Sequence, residues 1–220
     1  MIWTLFLRQF QESLIIYTDS MGNQANNIPN EVKRLRLCSS LQNCGGAVEV
    51  CMKESNEPIM SIFDDSTLGY TDWVIGNSGK SDAFTANNAT NKKLILLPLD
   101  NKIISGHNVK QGGVADCAVL TMNDLSFIEF KTNVTLNSED NLSVHTENAM
   151  KQLWHTYDGI ISPRCLAKGI NIATMVDVEF YIVFNKELDV TSATASRLNQ
   201  QMEFMSNHNF PLYFENEKDF

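Results

Sequence analysis

The sequence predicts an α/β fold, and three observations carry the prediction. Strand-like and helix-like segments alternate through the C-terminal half, where "VDVEFYIVFN" stands between two helical stretches. Residues 116–131, "DCAVLTMNDLSFIEFK", read as two apolar strands around an Asn-Asp turn. The 220 residues are 43% hydrophobic and 20% charged, the composition of a globular chain long enough to bury a sizeable core. No repeat period, long heptad run or composition break interrupts it. We therefore expect a single domain over 1–220, with its core around 92–190 and an N-terminal elaboration over 1–60.

Taken in order, "WTLFL" and "SLIIYTD" fit two strands or parts of one N-terminal helix, and their period does not choose. "MGNQANNIPN" is a loop by composition. "EVKRLRLCSSL" has helical character and carries Lys33, Arg34 and Arg36. "GAVEVCMK" and "PIMSIFD" fit strands or a pair of short helices. From Gly69 to Asn91, the Gly, Ser, Asn and Thr content predicts mainly loop around "DWVI". "KKLILLPLD" is a strand broken by Pro98. After the hairpin comes the polar loop "TLNSEDNLS". A helix is expected from about Thr146, as N-cap, to Ile161, before a Ser-Pro stop. "VTSATASRLNQQMEFMSNH" predicts a further helix and "FPLYFE" a final strand.

The net charge of −9 and a pI near 4.9 argue against a protein that coats nucleic acid through a broad basic surface. They are compatible with an acidic site that binds divalent cations. Five cysteines at irregular spacing make no disulfide framework. Cys38, Cys44 and Cys51 cluster without a CxxC pair or nearby histidine pair, so reduced core thiols are expected and zinc is not. Arg8, Gln9, Gln11 and Glu12 interrupt the apolar N-terminus, and no basic segment precedes it. Neither a signal peptide nor a membrane span is expected, and the expected location is the cytoplasm.

Asp116, Glu129 and Lys131 are the anomaly, three charges in a hairpin otherwise built for burial. Side chains alternate along a strand, so Phe127, Glu129 and Lys131 share one face, with Ile128 and Phe130 on the other. A two-residue turn at Asn123-Asp124 pairs Met122 with Leu125, Ala118 with Glu129 and Asp116 with Lys131. Asp116 and Lys131 then stand opposite, roughly 5 Å apart at Cβ, with Glu129 on the diagonal at roughly 7–8 Å. The other face, with Cys117, Val119, Ile128 and Phe130, should be covered by a helix. Two close carboxylates repel unless a cation intervenes. A divalent metal with waters and a phosphate resolves the repulsion, as does a structural ion pair with Lys131.

Asp-x12-Glu-x-Lys across a hairpin, reached through the Gly-rich "KQGGVADCAVL", resembles the PD-(D/E)xK phosphodiesterase superfamily of restriction endonucleases, junction resolvases and RecB-like nucleases. Ala115 stands where the motif's proline usually does. The resemblance implies a restriction endonuclease-like three-layer fold, a central mixed β-sheet flanked by helices. It implies Asp116 and Glu129 as ligands of Mg2+ or Mn2+, the Phe130 carbonyl as a further ligand, and Lys131 as the catalytic lysine. RecB-like members carry a Gln on the following helix, often with a Tyr a turn later. "ENAMKQLWHTYDGI" supplies Gln152, with Tyr157 five residues on and His155 at i+3 on the same face. Leu153 and Trp154 are expected in the core. An upstream acidic residue is also usual, and Glu31 leads Glu54 and Glu57 for that role.

The expected function is a metal-dependent nuclease acting on DNA in preference to RNA, in defence, restriction or repair. Acidic charge suggests targeting through a homodimer or a partner protein, and no membrane association is expected. The alternative is a binding or scaffolding subunit that keeps the fold without cutting.

Overall fold

Strands that are apolar at every position need cover on both faces, and that requirement organises the molecule. The structure is a computed structural model that describes residues 27–134, 139–188 and 195–220. "WTLFL" and "SLIIYTD" lie outside the described residues. Strands β5 (Leu94–Pro98) and β6 (Cys117–Leu120) are buried at every residue. With β7 (Asp124–Phe130), β8 (Asp177–Val183) and the edge strands β1 (Lys53–Ser55) and β9 (Leu212–Tyr213), they form a six-stranded sheet ordered β1-β5-β6-β7-β8-β9. Pairing is antiparallel from β1 to β7 and parallel from β7 to β9.

Parallel neighbours need long crossovers. The first runs through helix α4 (Glu139–Trp154), a π-helical segment His155–Ile161 and helix α5 (Ser162–Leu166). The second is helix α6 (Ala195–His208). These helices cover one face of the sheet, against Ala118, Leu120, Phe127, Phe180 and Ile182. The other face is covered by a second sheet, ordered β10-β4-β2-β3. Its strands are β2 (Ile59–Asp65), β3 (Tyr70–Ile75), β4 (Phe84–Asn87) and β10 (Glu217–Asp219), with β10 parallel to β4 and the rest antiparallel. Met60, Ile62, Phe84 and Ala86 meet Cys117, Val119, Ile128 and Phe130 from across the layer.

The chain is thus mixed α/β, but the face expected to carry a helix carries a sheet. The reason lies in residues 69–91, expected mainly as loop. Their short strands β3 and β4 exist by pairing with β2, a tertiary gain that composition does not register.

Among the helices, "EVKRLRLCSSL" breaks in two, α1 (Asn30–Arg34) and α2 (Leu37–Leu41), because Arg36 takes a left-handed conformation with φ 53°. "GAVEVCMK" divides into helix α3 (Val48–Cys51) and β1. Helix α4 starts about two turns before Thr146. Thr146 is therefore no N-cap: its hydroxyl donates to the Leu142 carbonyl at 2.9 Å inside the helix. Leu142, Thr146, Ala149 and Leu153 form its buried row, at helical spacing. The Ser-Pro stop fails: the chain passes from the π-helical segment straight into α5, with Pro163 in its first turn. No helix among the described residues is long and apolar enough to cross a membrane.

One side chain ties the layers together. Lys218, on β10 of the second sheet, bonds Glu179 on β8 and Ser126 on β7, the latter at 3.1 Å. Its ammonium also lies 3.4 Å from Asp124. Lys218 keeps only 10% of its side-chain surface exposed. Lys218→Met should therefore lower the unfolding free energy by about 3 kcal/mol, since it leaves a poorly hydrated carboxylate without its partner. Adding Glu179→Gln should recover part of that loss, and denaturant melts of the two single variants and the pair measure both.

Candidate active site

The hairpin turn falls one residue earlier than expected. Thr121 N–H donates to the Asp124 carbonyl at 2.8 Å, so Met122-Asn123 is the turn. The Thr121 hydroxyl donates to the Asp124 carboxylate at 2.7 Å and accepts the Asp124 N–H at 2.9 Å, which fixes the turn there. Cys117 pairs with Ile128, Ala118 with Phe127 and Leu120 with Leu125, a shift of two from the expected register. Because the side-chain period is two, every face assignment survives. The neighbours change: extending the pairing by one residue puts Asp116 opposite Glu129, with Lys131 on the diagonal.

Asp116 is fixed from three directions. Its carboxylate accepts the Phe130 N–H at 2.6 Å. Its carbonyl accepts the N–H groups of Leu99 and Asp100 at 2.9 and 3.2 Å. Just before it, Ala115 N–H donates to the buried Thr156 hydroxyl at 2.7 Å, and that hydroxyl donates to the Gln152 carbonyl at 2.7 Å. A strand residue directs its N–H and C=O to the same edge, so the Phe130 carbonyl also faces the Asp116 side.

Glu129 is 2% exposed and continues the helix-facing row of Leu125 and Phe127. Lys131 Nζ donates to Glu129 Oε1 at 2.6 Å and to Gln152 Oε1 at 2.8 Å. Gln152 thus reaches the charged end of the hairpin from α4, as expected. The glycines of "KQGG" make room for this: a Cβ at Gly113 would stand 2.6 Å from Gln152 Cγ, and one at Gly112 would stand 2.9 Å from the His155 ring. With φ of +87° and +107°, both positions suit glycine alone. His155 packs beneath that loop, its Nε2 buried without a hydrogen-bond partner. Tyr157 is core, 4% exposed, with Phe127, Phe180 and Phe210 around its ring.

On its other side Asp116 meets acids that sequence reasoning missed. A cleft of about 220 Å3 is lined by Asp64, Asp100 and Asp116, with Tyr70, Thr71 and Asn101. Lys110 pairs with Asp100 at 2.6 Å. Glu31 does not line this cleft. Three residues on, Arg34 donates to the carbonyls of Met122 and Met175, at the turn end of the hairpin, away from Asp116. Glu54 is paired with Lys93 at 3.0 Å on an edge strand, and Glu57 is exposed. The upstream acids beside Asp116 are therefore Asp64 and Asp100. One signal was available for Asp64, which continues the inward row Met60, Ile62 of β2.

The electrostatics follow from crowding. Burial pushes the Asp116 carboxyl up to about 7, opposed by the Phe130 N–H and reinforced by Asp64. Burial, then Asp116, holds Glu129 well above the usual range despite Lys131. Asp64 stands exposed at the lip, and its carboxyl is still raised by partial burial, Asp100 and Asp65.

Among the described residues, no three His, Cys, Asp or Glu side chains form a ready metal shell. The donors at the hairpin end are nonetheless all oxygen, two carboxylates and the Phe130 carbonyl, which suits a hard divalent cation. Glu129 Oε2 is buried without a hydrogen-bond partner, an acceptor such a cation would satisfy.

Stability without divalent metal should fall as pH rises. A carboxyl held above its unfolded value, which is about 4, binds its proton more tightly in the folded state. Its contribution is full at low pH and is lost as pH climbs toward about 7, the folded value for Asp116. Urea midpoints measured across that window should decline, and Asp116→Asn should flatten the slope. A slope of the same steepness in Asp116→Asn would assign the effect to other groups.

Comparisons with family models, with curated proteins and with solved structures find no match for this chain.

Proposed function

We propose that the protein is a Mg2+- or Mn2+-dependent nuclease of the PD-(D/E)xK type, hydrolysing phosphodiester bonds of DNA in preference to RNA. The observation that carries this reading is convergence. Asp116, Glu129 and Lys131 meet at one end of one hairpin, and Gln152 reaches Lys131 from the next helix. A structural ion pair needs neither a second carboxylate opposite the first nor a glutamine steering the ammonium.

Asp116, Glu129 and the Phe130 carbonyl would hold the metal, which supplies Lewis acidity and a bound water that loses its proton near neutral pH. Lys131 is suited to stabilise charge that develops on the phosphate oxygens, because its ammonium is held in place before substrate arrives. Gln152 orients that ammonium by accepting from it. Thr156 and the glycine pair fix the Ala115–Asp116 backbone against the helix. Targeting is assigned to a second copy or a partner protein, in keeping with the net charge of −9.

The Glu129–Lys131 bond favours a second reading, a non-catalytic scaffold in which the pair is structural. Metal and lysine variants separate the two. Mn2+ or Mg2+ should raise the melting temperature of the wild type and not of Asp116→Ala, since a ligand of the folded state alone stabilises it by mass action. Lys131→Met should keep that metal-induced rise while slowing strand cleavage by a factor on the order of 10² or more. Glu129→Gln should weaken both. An equal metal shift in wild type and Asp116→Ala, with no cleavage of single- or double-stranded substrates, would favour the scaffold.

A further inference from the structure

The acidic cleft has a wall that the proposed hydrolysis does not use. Tyr70 opens β3 beside the β2–β3 turn, is half-buried, and lines the cleft that contains Asp116. Facing it is the turn after β5, where Asn101 adopts φ 60°. That turn carries the Lys102 ammonium over the Tyr70 ring, 4.1 Å from the centroid. From the next turn, Lys110 holds Asn101 at 2.6 Å and pairs with Asp100 at 2.6 Å. The cleft therefore has an acidic floor and, at its lip, the Tyr70 ring with the Lys102 ammonium over it.

Each part of that lip suits a different part of a polynucleotide. Phosphates are repelled by the carboxylates and drawn to Lys102. A tyrosine ring held by a cation is a stacking surface for a base, whatever its identity. Bases inside a duplex are stacked on each other and do not present their faces to a side chain, whereas those of a single strand do.

We propose that Tyr70 and Lys102 form a nucleotide subsite beside the hydrolytic centre. Tyr70 stacks a base next to the scissile phosphate, Lys102 takes the adjoining backbone phosphate, and the substrate is single-stranded nucleic acid. This rests on the nuclease reading for what happens at Asp116, but it concerns binding.

The test is fluorescence anisotropy on the full chain, with Ca2+ present so that binding is read without cleavage. The probes are a labelled oligothymidylate, an abasic backbone of equal length, a duplex of equal length and an oligouridylate. The oligothymidylate should bind about tenfold more tightly than the abasic strand or the duplex. Tyr70→Ala should remove about that tenfold, the usual scale of one base–aromatic stack, and leave abasic binding unchanged. Tyr70→Phe should keep wild-type affinity, and Tyr70→Thr, which suits a strand, repeats the alanine test if alanine disturbs folding. Lys102→Met should weaken both single strands and lower the salt slope by about 0.7. The same Tyr70 dependence with oligouridylate also supports the subsite and extends its substrate to RNA.

Unchanged oligothymidylate affinity in Tyr70→Ala and Tyr70→Thr would overturn the subsite. So would equal losses on abasic and normal strands, or tighter binding of the duplex. Tyr70-dependent binding by a protein that cleaves nothing would leave the subsite standing and remove the nuclease reading. Metal-dependent cleavage unaffected by either Tyr70 variant would do the reverse.

Discussion

Two carboxylates face each other across neighbouring strands with one ammonium to share, and the architecture around them is arranged to tolerate that conflict. Lys131 is committed to Glu129 and Gln152, so Asp116 is left with the Phe130 N–H as its directly bonded partner. In a poorly hydrated site such an arrangement favours a proton or a cation. Keeping the carboxylates in register requires rigid support, and it comes from the helix layer and from the turn after β5, whose Leu99 and Asp100 N–H groups bond the Asp116 carbonyl. The helix layer supplies Thr156 and Gln152, while the second sheet adds a further like charge, Asp64, at the mouth of the cleft beside Asp116.

The charged face was legible in the sequence because it depends only on parity. Asp116, Glu129 and Lys131 fall on one face whether the turn is Asn123-Asp124 or Met122-Asn123, since moving a two-residue turn by one residue shifts the register by two. The turn itself was not legible, because Asn-Asp has the stronger turn composition and the Thr121–Asp124 hydroxyl–carboxylate bond is visible only in three dimensions. Gln152 was legible from its place on the helix after the hairpin, and the glycine pair before Asp116 from its composition.

What stayed hidden depends on contacts far apart in the chain. Asp64 is separated from Asp116 by a long stretch, and the sheet that carries it includes strands with loop-like composition. Glu31 drew attention through its helix and the basic run beside it, yet the same run sends Arg34 to clamp the hairpin turn and the loop before β8. The second sheet shows the same difficulty. Short strands such as Phe84–Asn87 gain their order from neighbours, so local propensity carries little of the signal.

The π-helical segment His155–Ile161 divides the crossover helix into two phases. Up to Trp154 the helix is set by the hairpin, with Gln152 turned to Lys131 and Leu153 to the core. Beyond it, the wider turn sets Tyr157, Ile160 and Ile161 inward. In a regular α-helix each residue adds about 100° of rotation, so one face dictates the next over the whole length. The widened turn resets that phase, so Gln152 keeps its aim at Lys131 while Tyr157 still turns into the aromatic core against Phe127.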